Sequence, residues 1–473
     1  MRYVSTRGQA GEQGLAPDST PDFSDVLLEG LAPDGGLYVP ESWPAFSAAE
    51  WRALRGLPYP ELAARIVAPF VGDCIPFGEL QAMCRRAYAG FSHKAIVPLI
   101  QLDSGLFVLE LFHGPTLAFK DLALQLAGQL FDYVLARRDR RVCIVGATSG
   151  DTGGAAIAAM AGRRNVEIAI LHPAGRTSEV QRRQMTTVDA PNVLNIAVDG
   201  NFDDCQDLVK AMFADTPFRR EMGLSAVNSI NWARIAAQIP YYAAAALSLG
   251  APDQPVAVAV PTGNFGNVLA AWAARQMGLP TEKFIVASNR NDILYRFLRH
   301  NDMSVREVTP SRSPSMDIGV SSNFERLLHE FLGRDGTRTA RAMTEFRATG
   351  RMAVDPPVWR AVRREFRGAT VSDADTLAEI ARWWHDCGYL ADPHTAIGLA
   401  AARLLAPIGM PVIAAATAHP AKFPDAIEAA VGFRPPLPAA LADLYNRKEK
   451  LVHAPNNLAA TQELVRKFAG RNG

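Results

Sequence analysis

Five cysteines are spread over 473 residues, Cys74, Cys84, Cys143, Cys205 and Cys387, with no C-x-x-C pair among them. Their number is odd and their spacing fits neither a disulfide framework nor a zinc site. They read as reduced thiols of a cytoplasmic protein, and no metal is expected. Charge bias is missing as well: 49 basic against 48 acidic residues leave a formal charge of +1. That balance provides no bulk attraction for nucleic acid or for an anionic membrane surface, although small anions can still be held locally. Long apolar runs are scarce. The run at 239–249 is interrupted by Pro240, Tyr241 and Tyr242, and falls well short of the roughly 20 residues that a membrane-spanning helix needs. No leader-like segment, internal repeat or low-complexity tract is read, and nothing marks an interface between copies.

What is present is a chain with 48% apolar residues, long enough for two or three domains and a large core. Residues 1–95 mix turn-rich stretches with short helices near 48–57 and 59–67. From 96 to about 290, short apolar strands (106–110, 142–145, 166–171, 193–198, 256–260, 284–287) alternate with helices (117–137, 204–213, 232–249). This alternation predicts an α/β fold of mainly parallel open sheets flanked by helices on both faces. Residues 291–390 read as a charged helical insertion with breaks at 351–357 and 367–373. The α/β pattern returns at 395–405 and 411–416. The expected division is an N-terminal domain, 1–95, and an α/β region, 96–473, in two subdomains carrying that insertion.

Four segments carry chemistry. In His113-Gly-Pro-Thr-Leu-Ala-Phe-Lys120-Asp121, a lysine sits at the opening turn of an amphipathic helix behind a Gly-Pro turn. Apolar neighbours strip its hydration and disfavour its charge, as a Schiff-base lysine requires. The bland alternative is a lysine that snorkels to water. In Val145-Gly-Ala-Thr-Ser-Gly-Asp-Thr-Gly-Gly154, an apolar run enters a loop of small and hydroxyl residues and then an Ala-rich helix. Such a loop presents N–H groups at a helix N-terminus, where a carboxylate or phosphate is favoured. Pro261-Thr-Gly-Asn-Phe-Gly-Asn267 repeats the design and suits a dianionic phosphate ester. This segment matches neither GxxxxGK[ST] nor GxGxxG, so no nucleotide motif stands behind it. In Ala416-Thr417-Ala-His419-Pro, Thr417 ends a buried strand and would face the crevice where open sheets bind ligands.

Taken in order, HGPTLAFKD, GATSGDTGG, PTGNFGN and ATAHPAKF resemble the threonine synthases, pyridoxal-phosphate enzymes of fold type II, the tryptophan-synthase-β type. The stretches at 1–8, 23–40, 227–235 and 313–326 resemble that family too, so the likeness spans most of the chain. It implies a lyase that converts O-phospho-L-homoserine and water to L-threonine and phosphate, the last step of threonine biosynthesis. It implies pyridoxal 5'-phosphate bound to Lys120, with the cofactor phosphate on Gly263, Asn264, Phe265, Gly266 and Asn267. Thr417 would stand beside the pyridine nitrogen, where a neutral hydroxyl favours elimination and replacement over transamination. Asp151 falls at the ring oxygen, where related enzymes often carry asparagine; two facing acids there need a shared proton or a nearby cation. Ser149 and Thr152 would meet substrate carboxylate or phosphate, and Ser229, Asn231 and Arg234 a second phosphate, which arginine grips in fork geometry. A serine or threonine dehydratase of the same fold would need neither Arg234 nor that second site. A non-catalytic phosphoester-binding relative is the remaining alternative. His113, His394 and His419 adjoin turn residues; each reads by default as a buried histidine bonded to a backbone carbonyl, with His113 the one to test for a site role.

Overall fold

The computed structural model describes residues 1–8, 20–148, 150–226 and 228–470, and contacts divide it into two compact units. The first comprises Met1–Arg85, His93–His113 and Ser229–Pro435; the second comprises Arg86–Ser92, Gly114–Asn228 and Pro436–Gly473.

The first unit is built on a six-stranded sheet in the order Phe366–Thr370, Thr281–Ser288, Val256–Pro261, Val412–Ala416, Leu106–Glu110, Leu99–Asp103. Neighbours run parallel except the last pair. Val256–Pro261 and Val412–Ala416 are buried at every position, which is why both read as unbroken runs of small and β-branched residues. The two strands are direct neighbours, so the loop after Pro261 and the residue after Ala416 emerge at the same end of the sheet. Helix Pro393–Leu405 packs on them so closely that a Cβ at Gly398 would lie 3.1 Å from Pro261 Cδ.

The second unit is a five-stranded parallel sheet in the order Val452–Pro455, Val193–Asp199, Val166–Pro173, Val142–Ala147, Leu224–Ser225. Helix Lys120–Arg137 packs against helix Asp151–Met160. Gly128 permits the approach, since a Cβ there would lie 2.6 Å from the Ala159 carbonyl oxygen. Among the described residues no helix is long and apolar enough to cross a membrane.

All six strands expected between 96 and 290 form, and the helix expected at 232–249 divides. It becomes Trp232–Ala236 and Ile239–Ser248, because Pro240 has no N–H to continue the ladder. The 291–390 segment is not wholly helical: its expected break at 367–373 holds Phe366–Thr370, the edge strand beside Thr281–Ser288. Contacts group residues 1–85 with the rest of the first unit. Trp232 explains this: its ring lies 6.2 Å from Tyr3, 5.8 Å from Trp43 and 5.6 Å from Phe70, centroid to centroid, with the Arg326 guanidinium 5.6 Å over it. The N-terminal segment is thereby packed onto the body of the first unit. Emptying that site by Trp232→Ala is expected to cost about 3–5 kcal/mol, read as a lower urea midpoint for the first unit. An unchanged midpoint would show that the cluster does not hold the segment.

Candidate active site

In the second unit the lysine is set by a carboxylate one residue further on. Asp121 is buried and accepts from the Thr116 N–H at 2.8 Å and the Thr116 hydroxyl at 2.6 Å. That ring closes the Gly-Pro turn and holds Leu117 at φ 58°, a conformation costing on the order of 1 kcal/mol for a branched side chain. The helix then starts at Lys120. Gly114 is required beneath the turn, because a Cβ there would lie 2.5 Å from Asp121 Cβ.

Lys120 is buried, with Nζ 3.2 Å from Asp151 Oδ2. The other Asp151 oxygen accepts from Gln181 Nε2 at 2.8 Å, and the Gln181 carbonyl accepts from the Ser178 hydroxyl at 2.8 Å. Burial was expected to disfavour charge on the amine; the structure instead supplies a carboxylate partner from the residue assigned to the ring oxygen. Gln181 went unnoticed in the sequence, since nothing local marks it. Gly150, at φ 151°, lies under it, and a Cβ there would come 2.6 Å from Gln181 Cδ. The loop is less open than its composition implies: Thr148 Oγ1 accepts from the Gly150 and Gly153 amides at 3.0 and 2.9 Å. Thr152 is half-buried in the first turn of helix Asp151–Met160. Ser149 lies outside the described residues.

The first unit holds the complementary chemistry. Two carbonyls of the loop after Pro261 are engaged from one segment: Gly263 O accepts from the Ser321 hydroxyl at 2.7 Å, and Asn264 O from the Asn323 N–H and Nδ2 at 3.1 and 3.0 Å. The amides of 263–267 meet no acceptor among the described residues. Phe265 sits at φ 62° and precedes the helix Gly266–Gln276. Its buried ring packs 5.7 Å from Phe324 and 5.9 Å from Phe366, which offsets the left-handed backbone. Only the backbone of Phe265 is therefore available to a ligand.

Asn267 is more telling. Its Oδ1 accepts from the hydroxyls of Tyr241 at 2.7 Å and Tyr242 at 2.5 Å. That turns Nδ2 the other way, buried and without an acceptor. Unpaired amides at a helix N-terminus together with a buried side-chain donor make a seat for an anion. Thr417 is also buried; its N–H donates to Thr395 Oγ1 at 3.2 Å, while its hydroxyl meets no partner among the described residues.

The buried arginines of this unit differ in a way that decides their roles. Arg296 is bound by Asp292, Asp302 and Ser304. Arg326 donates to Tyr38 O, Asn323 Oδ1 and Ile230 O. Arg234 is equally buried, yet its Nε and Nη1 meet no acceptor among the described residues, and burial pulls its pKa down to about 10. It neither caps its helix nor pairs at the surface. Asn231, by contrast, is committed: Nδ2 donates to Leu27 O at 2.8 Å and Oδ1 accepts from the Ala233 N–H at 3.0 Å, capping the short helix that carries Arg234. Ser229 is half-buried, and its carbonyl accepts from Asn323 Nδ2 at 2.9 Å.

The histidines depart from their default. His113 Nε2 lies 2.8 Å from Glu110 Oε2. His419 accepts from the Ala421 N–H through Nδ1, and burial lowers its pKa to about 4. His394 is bonded to Asp392 and to a backbone N–H, not to a carbonyl. Among the described residues no group of His, Cys, Asp and Glu is arranged to hold a metal ion.

Residues 94–358 match the family model described as pyridoxal-phosphate dependent enzyme, residues 2–88 that described as threonine synthase N terminus, and residues 395–465 that described as threonine synthase, C-terminal. The threonine synthase of Pseudomonas aeruginosa is 52% identical over 473 residues, covering 100% of this chain and 99% of that protein. Two solved structures superpose closely. The pyridoxal-phosphate-bound threonine synthase from Brucella melitensis does so with TM-score 0.96 at 51% identity, over 99% of both chains. The yeast threonine synthase does so with TM-score 0.92 at 37% identity, also over 99% of both.

The fold, the buried lysine and the unpaired phosphate donors thus define a pyridoxal-phosphate-dependent enzyme. The chain belongs to the threonine synthase family.

The Asn267 donor fits the phosphate of that cofactor. Asn267→Asp keeps an acceptor for the two tyrosines but replaces the donor with negative charge. Titrating cofactor-free protein with pyridoxal phosphate is expected to show affinity reduced roughly ten- to a hundredfold. Unchanged affinity would remove Asn267 from the site.

Proposed function

We propose that Lys120, Asp151, Gly263, Asn264, Phe265, Gly266, Asn267 and Thr417 hold pyridoxal 5'-phosphate, and that Arg234 receives the substrate's phosphate. Thr152, Ser149 and Ser229 complete the substrate contacts, and Asn231 acts by capping the helix that carries Arg234. The enzyme converts O-phospho-L-homoserine and water to L-threonine and inorganic phosphate: phosphate leaves the γ-carbon and water adds at the β-carbon. When bound, the cofactor supplies the electron sink that makes protons on the substrate's carbon skeleton removable.

The chain's own residues bind, orient and carry protons. Lys120 Nζ would hold the cofactor and is the group placed to move a proton at the substrate carbon. To bond to a carbonyl the amine must first give up its own proton, and Asp151, 3.2 Å away, is the acceptor at hand. Gln181 keeps that carboxylate in place through its second oxygen. The amides of 263–267 and Asn267 Nδ2 would hold the cofactor phosphate, and the neutral Thr417 hydroxyl would face the cofactor ring without adding charge.

The observation that carries the choice of substrate is the unpaired Arg234 guanidinium. A buried cation with idle donors needs an anion, since leaving it alone costs several kcal/mol. A dehydratase acting on an unphosphorylated amino acid offers no second phosphate to occupy it. At a pKa of about 10 the group stays charged at neutral pH, so it can stabilise the phosphate both before and as it leaves.

Two variants test this reading. Lys120→Ala should end turnover, read as threonine and phosphate release, with the fold kept by circular dichroism; turnover at the unaltered rate would defeat the assignment. Arg234→Ala should lower kcat/KM for phosphohomoserine roughly ten- to a hundredfold, the range for hydrogen bonds to a charged group, and affect cofactor affinity less. Equal loss of both would make Arg234 a structural residue.

A further inference from the structure

One buried carboxylate is tied to both ends of the cradle in the first unit. Asp392 is fully buried at the N-terminus of helix Pro393–Leu405. Its Oδ1 accepts from the His394 N–H at 3.0 Å and from His394 Nδ1 at 2.7 Å. Its Oδ2 accepts from the Thr395 N–H at 3.2 Å and from the Thr395 hydroxyl. Four contacts converge on its two oxygens, so both serve as acceptors.

Capping the helix accounts for the two N–H contacts and for nothing more. The two side-chain contacts lead elsewhere. His394 Nε2 accepts from the Ser315 N–H at 3.2 Å; because Nε2 accepts, the ring proton resides on Nδ1, facing Asp392. Phe423 holds the ring plane edge-on, with centroids 4.9 Å apart. Ser315 in turn abuts the phosphate loop, where a Cβ on Gly263 would lie 3.0 Å from the Ser315 carbonyl oxygen. On the other arm, the Thr395 hydroxyl gives its proton to Asp392 and so turns a lone pair to the Thr417 N–H at 3.2 Å. Thr417 is left with an unengaged hydroxyl.

We propose that Asp392 is a positioning residue of the cofactor cradle, acting through His394 and Ser315 on the 263–267 loop and through Thr395 on Thr417. The proposal rests on the reading that these two loops hold pyridoxal phosphate. Its content is a division of labour: the histidine arm sets the phosphate end and the threonine arm sets the ring end. One buried carboxyl group ties the two arms together.

The test uses holoenzyme carrying Asp392→Asn, His394→Gln, Thr395→Val or Thr395→Ser. Three readouts are taken: the 31P resonance of the bound cofactor, its visible absorption band, and its dissociation constant. His394→Gln should move the 31P signal and leave the band in place. Thr395→Val should move the band and leave the 31P signal, and Thr395→Ser should restore the wild-type band. Asp392→Asn should move both and weaken cofactor binding by about tenfold. If Asp392→Asn does not fold, His394→Gln and Thr395→Val decide the matter between them. Variants that melt earlier with both signals at wild type would make Asp392 a helix cap and overturn the proposal. Asn267→Asp and Thr417→Val serve as controls. Signals unmoved by these two would fault the cradle reading itself; signals moved by them and by none of the others would fault the positioning role alone.

Discussion

A protein interior tolerates poorly hydrogen-bond donors that have nothing to bond, and among the described residues the first unit leaves several such donors open. The amides of 263–267, Asn267 Nδ2 and Arg234 Nε and Nη1 lie in the same unit without acceptors among the described residues. Each such group costs about 1–3 kcal/mol when buried and unpaired, more when charged. The surrounding structure holds them in that state. Ser321 and Asn323 take the loop carbonyls, two tyrosines take the Asn267 oxygen, and Asn231 caps the helix of Arg234. The phosphate esters proposed as ligands would supply acceptors to these donors. The neighbouring placement of Val256–Pro261 and Val412–Ala416 then brings the loop and Thr417 to one end of the sheet, where open α/β sheets take their ligands.

The second unit shows the opposite condition. Lys120, Asp151, Gln181 and Ser178 form a chain in which the polar ends named are engaged. On the proposed reading, chemistry at Lys120 would begin with an exchange of partners through Asp151, whose other oxygen Gln181 holds. An aspartate at this position gives the lysine a proton acceptor that an asparagine would not.

Much of this was legible in the residues. The inner strands read clearly because burial on both faces selects runs such as Val256-Ala-Val-Ala-Val. The Gly-Pro turn before an apolar-periodic stretch put Lys120 at a helix start, and the structure begins the helix there. Edge strands such as Phe366–Thr370 were hidden: only Phe366 and Ala369 of its five residues face inward, and pairing comes from the backbone. Gln181, Tyr241, Tyr242 and Asp392 were hidden for another reason. Each acts across a distance in the chain that no local pattern records, and Asp392 before a proline reads simply as a helix cap. The unit boundaries escaped because both units are assembled from separated segments, with Trp232 packing against Tyr3 and Phe70.

The central claim is the proposal that the idle amides of 263–267 and Asn267 Nδ2 exist for the cofactor's phosphate. Its most direct test compares binding of pyridoxal phosphate and of pyridoxal, the same aldehyde without the phosphate, to the cofactor-free wild-type protein by absorbance titration. The account predicts that pyridoxal binds at least roughly a hundredfold more weakly, the loss expected when several charge-assisted hydrogen bonds go unmade. Equal affinity for the two would contradict it.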